Sequence, residues 1–301
     1  MNKSEQLDLS KIGFLAMWKL GGLTPWDLVR RAFIGYNQHR LSAQSAQFAY
    51  YAIFTLFPLL MVLIGCVAQL PIEGLIRSME NAINMGLPHD LSQILFDQIA
   101  DIQKKTTFSL IMGGVVLLSW GGMRLFLTMG KGLDAVFEVD HRRKLLKAGG
   151  LSLLLTFFVL FLLLLAMILL VVGPAMARLL LSNFDMPWLH VLLSAGTRWS
   201  VACGFMLIST SVIYWAVPSV RLPWNIITPG SLFVVVSWVV MLLGFREYVE
   251  NFAHYNETYG TLGGFIVLLV WLYMTGAILM MGAEINGVIY RAAKEKSAAI
   301  S

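Results

Sequence analysis

The chain has 301 residues, 58% of them hydrophobic and only 13% charged, with a formal net charge of +5 at pH 7. A soluble domain could not bury so much apolar surface, so a mean hydropathy of +0.74 excludes a globular cytosolic enzyme and removes the basic balance as an argument for nucleic-acid binding. The composition points to a polytopic membrane protein, expected from its long apolar runs to be an all-α helical bundle, in which the placement of Lys and Arg says more than their sum. Both cysteines, Cys66 and Cys203, fall in apolar runs and behave there as small hydrophobes.

Residues 1–46 have no apolar h-region directly after a basic start, so a cleavable signal peptide is not expected. Thr24-Pro25-Trp26-Asp27 combines a cap residue, a proline at the first helical position and an acid facing the orphan amides, which predicts a helix start. Beyond it, Trp26, Leu28, Val29, Ala32, Phe33 and Tyr36 alternate with Arg30, Arg31 and Arg40. That pattern suits a helix lying on a lipid surface and equally one packed on the protein's own cytoplasmic end.

Six apolar segments follow, near 47–70, 108–130, 150–173, 198–217, 229–249 and 261–285, each long enough for a tilted transmembrane helix of roughly 20 residues. Placing both termini inside puts 15 Lys and Arg on cytoplasmic faces against 6 outside, so the positive-inside rule predicts six spans, N-in and C-in. The expected organisation is a cytoplasmic segment 1–46 with an interfacial helix, a transmembrane domain 47–290 and a cytoplasmic tail 291–301. The external loop 71–107 repeats apolar residues at helical spacing on either side of Pro88, as two amphipathic helices would.

Within the spans, Pro58 interrupts the first, and the second carries the pair Gly121-Gly122 followed by Arg124. A guanidinium inside a span costs about 2.5–3.5 kcal/mol, so Arg124 faces a partner or a watery cavity, or else snorkels to the cytoplasmic edge. The third span is Leu-rich and suits lipid contact; Arg198, Trp199, Tyr214 and Trp215 mark the interfaces of the fourth. Residues 228–286 form two runs joined by a short polar hinge containing Arg246, Glu247, Glu250, His254, Glu257 and Tyr259, with Pro229 at the start and Glu284 and Asn286 at the end. Gly260 and Gly264 stand in GxxxG register and predict close helix packing. Arg124 and Glu284, each about 6–9 Å from the cytoplasmic end of its span, are within reach of an ion pair that would act as an inner gate.

SAQFAYYAIFTLFPLLM in the first span, VIYWAVPS in the fourth, TPG opening the fifth, and LLVWLY and MGAEIN in the sixth together resemble the BrkB/YihY family of bacterial inner-membrane proteins. The resemblance implies a six-span protein of the cytoplasmic membrane. Such proteins carry labels as ribonuclease BN-like, virulence or serum-resistance factors, and candidate transporters of unsettled substrate. For a ribonuclease the residues offer little: His39, His89, His141, His190 and His254 are scattered without metal-ligand spacing. The reading is therefore a non-enzymatic transporter or exporter of a small solute or lipid, with an envelope assembly or structural protein as the alternative. Arg124, Glu284, Asn286, Glu247, Glu250 and Tyr259 are the candidates for substrate contact or gating, and Gly121, Gly122, Gly260, Gly264, Pro58 and Pro229 those for helix packing. Membrane lipids are the expected partners, with no nucleic acid, cofactor or metal, and a homo-oligomer left open.

Overall fold

The computed structural model describes residues 17–69, 108–139, 143–167, 194–220, 222–225, 227–259 and 261–298, and of 63–69, 167, 195, 246–259, 261–262 and 297–298 the backbone alone. The loop 71–107 and Gly260 lie outside the described residues, as do the side chains of Glu247, Glu250 and Tyr259. Every regular element described is helical: a 3-10 turn at Leu20–Gly22, then α1 (Pro25–Gln38), α2 (Leu41–Gln69), α3 (Phe108–Val136), α4 (Leu145–Met167), α5 (Ala195–Ala216), α6 (Pro229–Tyr259) and α7 (Thr261–Ala298). Helices α2 to α7 fall on the six apolar segments, of which residues 70 and 168–173 lie outside the described residues. Among the described residues five stretches are long and apolar enough to cross a membrane, Leu41–Val62, Phe108–Val136, Leu145–Ala166, Gly196–Ala216 and Gly263–Lys296, while Pro229–Phe245 of α6 is a shorter apolar helix.

One element departs from the sequence reading. The polar stretch after Phe245 does not break the helix, because α6 continues to Tyr259 before α7 begins at Thr261. Residues 246–259 contain neither Pro nor Gly, so nothing in them stops a helix already running, and polarity alone is a weak helix breaker.

The chain forms two compact units, residues 1–50 with 123–301, and residues 51–122. In the smaller unit, α2 and α3 approach closely at glycine: a Cβ on Gly121 would stand 2.9 Å from Thr55 Oγ1, and one on Gly114 2.9 Å from Val62 Cγ2. Trp120 presents its ring edge-on to Tyr51 and Phe54 at centroid distances of 6.5 and 6.4 Å. Pro58 sits inside α2.

In the larger unit, α7 packs against α6, α1 and the 3-10 turn, and α5 packs against α4 and α6. Its core includes Met17, Leu41, Met129, Leu133, Val234, Met280 and Ile289. Helix α1 starts as its sequence predicts, with Thr24 Oγ1 accepting the Asp27 amide at 3.2 Å and Pro25 in the first turn. Of the two settings that its pattern allowed, the inner face takes the packed one, burying Leu28, Ala32 and Gly35, while Trp26, Val29 and Phe33 on the opposite side stay exposed. The preceding turn needs its glycine: Gly21 has φ +63°, and a Cβ there would stand 2.7 Å from Ile289 O.

Candidate functional site

From Gly276 onward, α7 meets α6, α5, α2, the end of α3 and the turn between α1 and α2. The N-terminus of α6 supplies the first of these contacts. Thr228 caps it, with Thr228 Oγ1 accepting the Ser231 amide at 3.1 Å and Ser231 Oγ accepting the Thr228 amide at 2.9 Å, and Pro229 occupies the first helical position, where no amide is needed. The next free amide, Gly230 N, donates to Asn286 Oδ1 at 2.9 Å, while Asn286 Nδ2 donates to Thr228 Oγ1 at 3.0 Å. This closeness requires glycine on both helices. A Cβ on Gly230 would collide with Gly282 O, and one on Gly282 would stand 2.7 Å from Gly230 O. From α5, Tyr214 donates to Leu279 O at 2.5 Å. From α2, Ser45 O and the Phe48 ring lie 3.1 and 2.8 Å from where a Cβ on Gly276 would be.

Glu284 is the charged residue among these, and it has no exposed surface. Its Oε1 accepts from Arg291 Nη2 at 2.6 Å, two turns further along the same helical face, and its Oε2 lies 2.8 Å from His39 Nδ1. His39 reaches it because the chain turns sharply between α1 and α2. The His39 amide donates to Gly35 O at 2.8 Å, and Arg40 takes a left-handed φ of +53° before α2 begins. Gly35 itself lies against the carboxylate, and a Cβ there would overlap Glu284 Oε1. Arg291 Nη1 also donates to Val136 O at the end of α3 and stands 3.9 Å from Glu138 Oε1. Both carboxylate oxygens and both terminal guanidinium nitrogens are therefore engaged, as a buried charge requires. On α1, burial pushes the Tyr36 phenol up, partly offset by the Ser45 hydroxyl at 3.3 Å.

Outside this cluster lies an open cleft of about 190 Å³ lined by Arg31, Gln38, His39, Glu138, Arg291 and Glu295 together with Ile34, Gly35 and Val288. The end of α3 shapes one edge. Val139 N donates to Asp134 O at 2.9 Å and Glu138 N to Ala135 O at 3.1 Å, a Schellman arrangement in which Glu138 takes the left-handed position at φ +52°. Asp134 accepts the Ser219 amide at 2.7 Å and its hydroxyl at 3.0 Å, while Arg143 Nη1 donates to Ala216 O at 2.7 Å and so caps α5 with a cation.

The residues singled out in the sequence fare differently. Glu284 and Asn286 are buried, 0% and 2% exposed, at the junction just described. The cations on Glu284's oxygens are Arg291 and, when protonated, His39, in place of the expected Arg124, whose side chain is exposed. The reason is proximity: Arg291 needs no interhelical encounter to reach a carboxylate on its own face. Gly121 and Gly122 are buried. Gly264 is not at a close contact, since among the described residues a Cβ there meets nothing within 4 Å. Close approach along α7 is made instead at Gly276, Gly282 and Gly287, where α7 is enclosed. His39, Arg291 and Glu138 were missed. The seven-residue spacing of Glu284 and Arg291 was the available signal for one of them; His39 is 245 positions from Glu284 and gave none.

A family profile described as Virulence factor BrkB matches residues 32–300. The chain belongs to that family. Among its relatives, the ribonuclease-like protein YfkH of Bacillus subtilis is 27% identical over 273 residues, 89% of this chain and 97% of the relative. A UPF0761 membrane protein of Nitrosospira multiformis is 23% identical over 87% of this chain, which spans only 61% of that longer relative. Another from Pseudoalteromonas translucida is 28% identical over 86 residues, 29% of each chain. No solved structure matches. Within this BrkB-family chain the stretches that carry the resemblance are those now seen to meet: Ser45 and Phe48, Tyr214, Thr228 to Gly230, and Gly282 to Asn286 all converge on α7. With several apolar helices and membrane-protein relatives, it is a multi-pass membrane protein.

Proposed function

We propose that this protein is an inner-membrane carrier that moves a small solute or a lipid across or within the cytoplasmic membrane, and that the Glu284 cluster is its gate. The reading takes six spans with both termini inside, on the charge asymmetry of the loops. One observation carries it: a carboxylate with no exposed surface is held by Arg291 and His39, two residues that themselves line an open cleft. A buried ion pair adds little net stability and is often matched by apolar packing, so stability alone gives Glu284 no reason to be there. A gate does, because His39 is carried by the α1–α2 turn and Arg291 by α7, so separating the two elements would expose the carboxylate to the cleft they line. At 1.5 Å per residue, the apolar part of α7 before Glu284 measures about 32 Å, which sets the cluster at the edge of a bilayer core of about 30 Å.

Catalysis has weaker support. The ribonuclease-like name belongs to the Bacillus relative, and among the described residues no three His, Cys, Asp or Glu side chains stand together as metal ligands would. The alternative, a non-transporting envelope assembly protein, draws on Gly35, whose fit against Glu284 suits a permanent clamp between α1 and α7. Reconstitution into liposomes separates the two. With tail-labelled fluorescent phosphatidylethanolamine and phosphatidylglycerol and a membrane-impermeant quencher, a carrier speeds lipid movement and Glu284→Gln changes that rate; vesicle swelling in small zwitterionic and anionic solutes covers soluble cargo. Rates equal to those of empty liposomes in every arm would sink the carrier reading and leave the clamp.

A further inference from the structure

We infer that the cleft outside Glu284 binds a zwitterion bearing a phosphate and an ammonium group, the chemistry of phosphoethanolamine, whether free or as a lipid headgroup. The inference rests on the carrier reading for treating the cleft as an entry, and it names the cargo class.

The first argument is the contrast between the pairing behind the cleft and the pairs on its rim. On the inner side, Glu284 is closed off behind Arg291 and His39 by contacts of 2.6 and 2.8 Å, the length of charge-assisted hydrogen bonds. On the rim, Arg31 and Glu295 stand 3.6 Å apart with side chains 51% and 69% exposed, and Arg291 and Glu138 stand 3.9 Å apart at 27% and 64%. Exposed pairs at such separations hold weakly and leave donors and acceptors free to take a ligand.

The second argument is sign. Arg31, with Gln38 beside it, offers donors to an anion and the Glu284-bound Arg291 adds positive charge to that side, while Glu138 and Glu295 offer acceptors to a cation. A simple anion would meet the two carboxylates and a simple cation the two guanidiniums; a ligand carrying both charges pairs with both and opposes neither. Ile34 and Val288 supply an apolar wall for the carbons between the charges. A volume of about 190 Å³ equals roughly six waters at about 30 Å³ each, enough for a phosphoethanolamine and too little for an oligopeptide.

The third argument is strain. Glu138 holds a left-handed backbone at φ +52°, in the Schellman position that glycine normally fills. Strain kept at a site edge points to a use for the side chain. Glycine there would relax the turn and remove the carboxylate.

The test uses the full-length protein in detergent and in nanodiscs. Titration with glycerophosphoethanolamine, inorganic phosphate and ethanolamine is expected to show binding of the first at least 5-fold tighter than either part. Native mass spectrometry of protein extracted from mixed bilayers is expected to show phosphatidylethanolamine retained over phosphatidylglycerol if the source is a lipid; uptake of the soluble compound with no lipid preference assigns a free metabolite. Glu138→Gly should raise the melting temperature yet weaken zwitterion binding at least 5-fold, an opposition that a purely structural role would not produce. Arg31→Gln should weaken every phosphate-bearing ligand about 10-fold. Equal binding of phosphate and glycerophosphoethanolamine, or Glu138→Gly binding like the parent, would overturn the inference, as would no binding in any arm. Binding without transport in the liposome assay would remove the carrier and keep the site; transport without binding would do the reverse.

Discussion

The two halves of α7 are built from similar apolar residues and live in opposite surroundings. From Gly263 to Met274, Phe265, Ile266, Leu269, Val270, Tyr273 and Met274 are all exposed. From Gly276 to Ala293 every residue is buried or half-buried, and Glu284 and Asn286 fall in this stretch. A lipid-facing half has no water and no neighbour to satisfy a polar side chain, so it is apolar with little constraint on shape. The enclosed half receives donors from His39, Arg291 and Gly230 N, and can therefore hold a carboxylate and a carboxamide, but only with glycine wherever another backbone comes close.

That contrast can be broken most forcefully at Glu284. Glu284→Ala leaves Arg291 and His39 without their buried partner and is expected to cost about 3–5 kcal/mol, read as resistance to unfolding in a denaturing detergent titration. Glu284→Gln, which keeps one acceptor, should fall well short of that. Next comes Gly282→Ala. Its Cβ would stand 2.5 Å from Tyr214 Oη and 2.7 Å from Gly230 O, and a backbone oxygen cannot turn aside, so a loss of about 3 kcal/mol is expected by the same titration. A wild-type midpoint would mean that α6 and α7 do not touch there.

A smaller effect should follow from Asn286→Ala. The Gly230 amide loses its buried acceptor, while Thr228 Oγ1 keeps the Ser231 amide, and the cost is about 1–3 kcal/mol. Hydrogen exchange at the start of α6 should rise in this variant and stay at the wild-type level in its C-terminal turns. At the other end of the comparison, Gly264→Ala lies in the bare half, where among the described residues nothing stands within 4 Å of the added Cβ. Alanine improves helix propensity, so the variant is expected to match the parent or gain about 0.5–1 kcal/mol. A marked loss of thermal stability would put an unseen close contact at Gly264 and erase the distinction between the halves.

Much of the fold was legible because its causes are local. The transfer free energy of an apolar run needs no neighbour, so six long segments could be placed as helices from the sequence. The start of α1 was equally clear, since Thr24, Pro25 and Asp27 act on the first turn they belong to. The hinge before Gly260 was misread because polarity was taken for a break in a stretch that lacks any helix-stopping residue.

The candidate site was legible only in part. Glu284 stood out because a carboxylate in an apolar run is costly wherever it goes, and the motif around Asn286 was marked by the family resemblance. Which groups meet that charge depends on how far apart elements lie in space. His39 arrives from the turn between α1 and α2, Gly35 makes room for the carboxylate, and Glu138 is aimed by a left-handed residue at the end of α3. The same holds for the glycines: Gly264 and Gly282 look alike as small residues in an apolar run, yet among the described residues only Gly282 meets another backbone, and packing alone makes that difference. Sequence by itself determined the solvent of this protein, its helices and the presence of a buried charge, since those follow from free energies of individual segments. Tertiary structure decided the partners of that charge and the cleft above it, because pairing energies fall off within a few ångströms and are set by contacts between residues far apart in the chain.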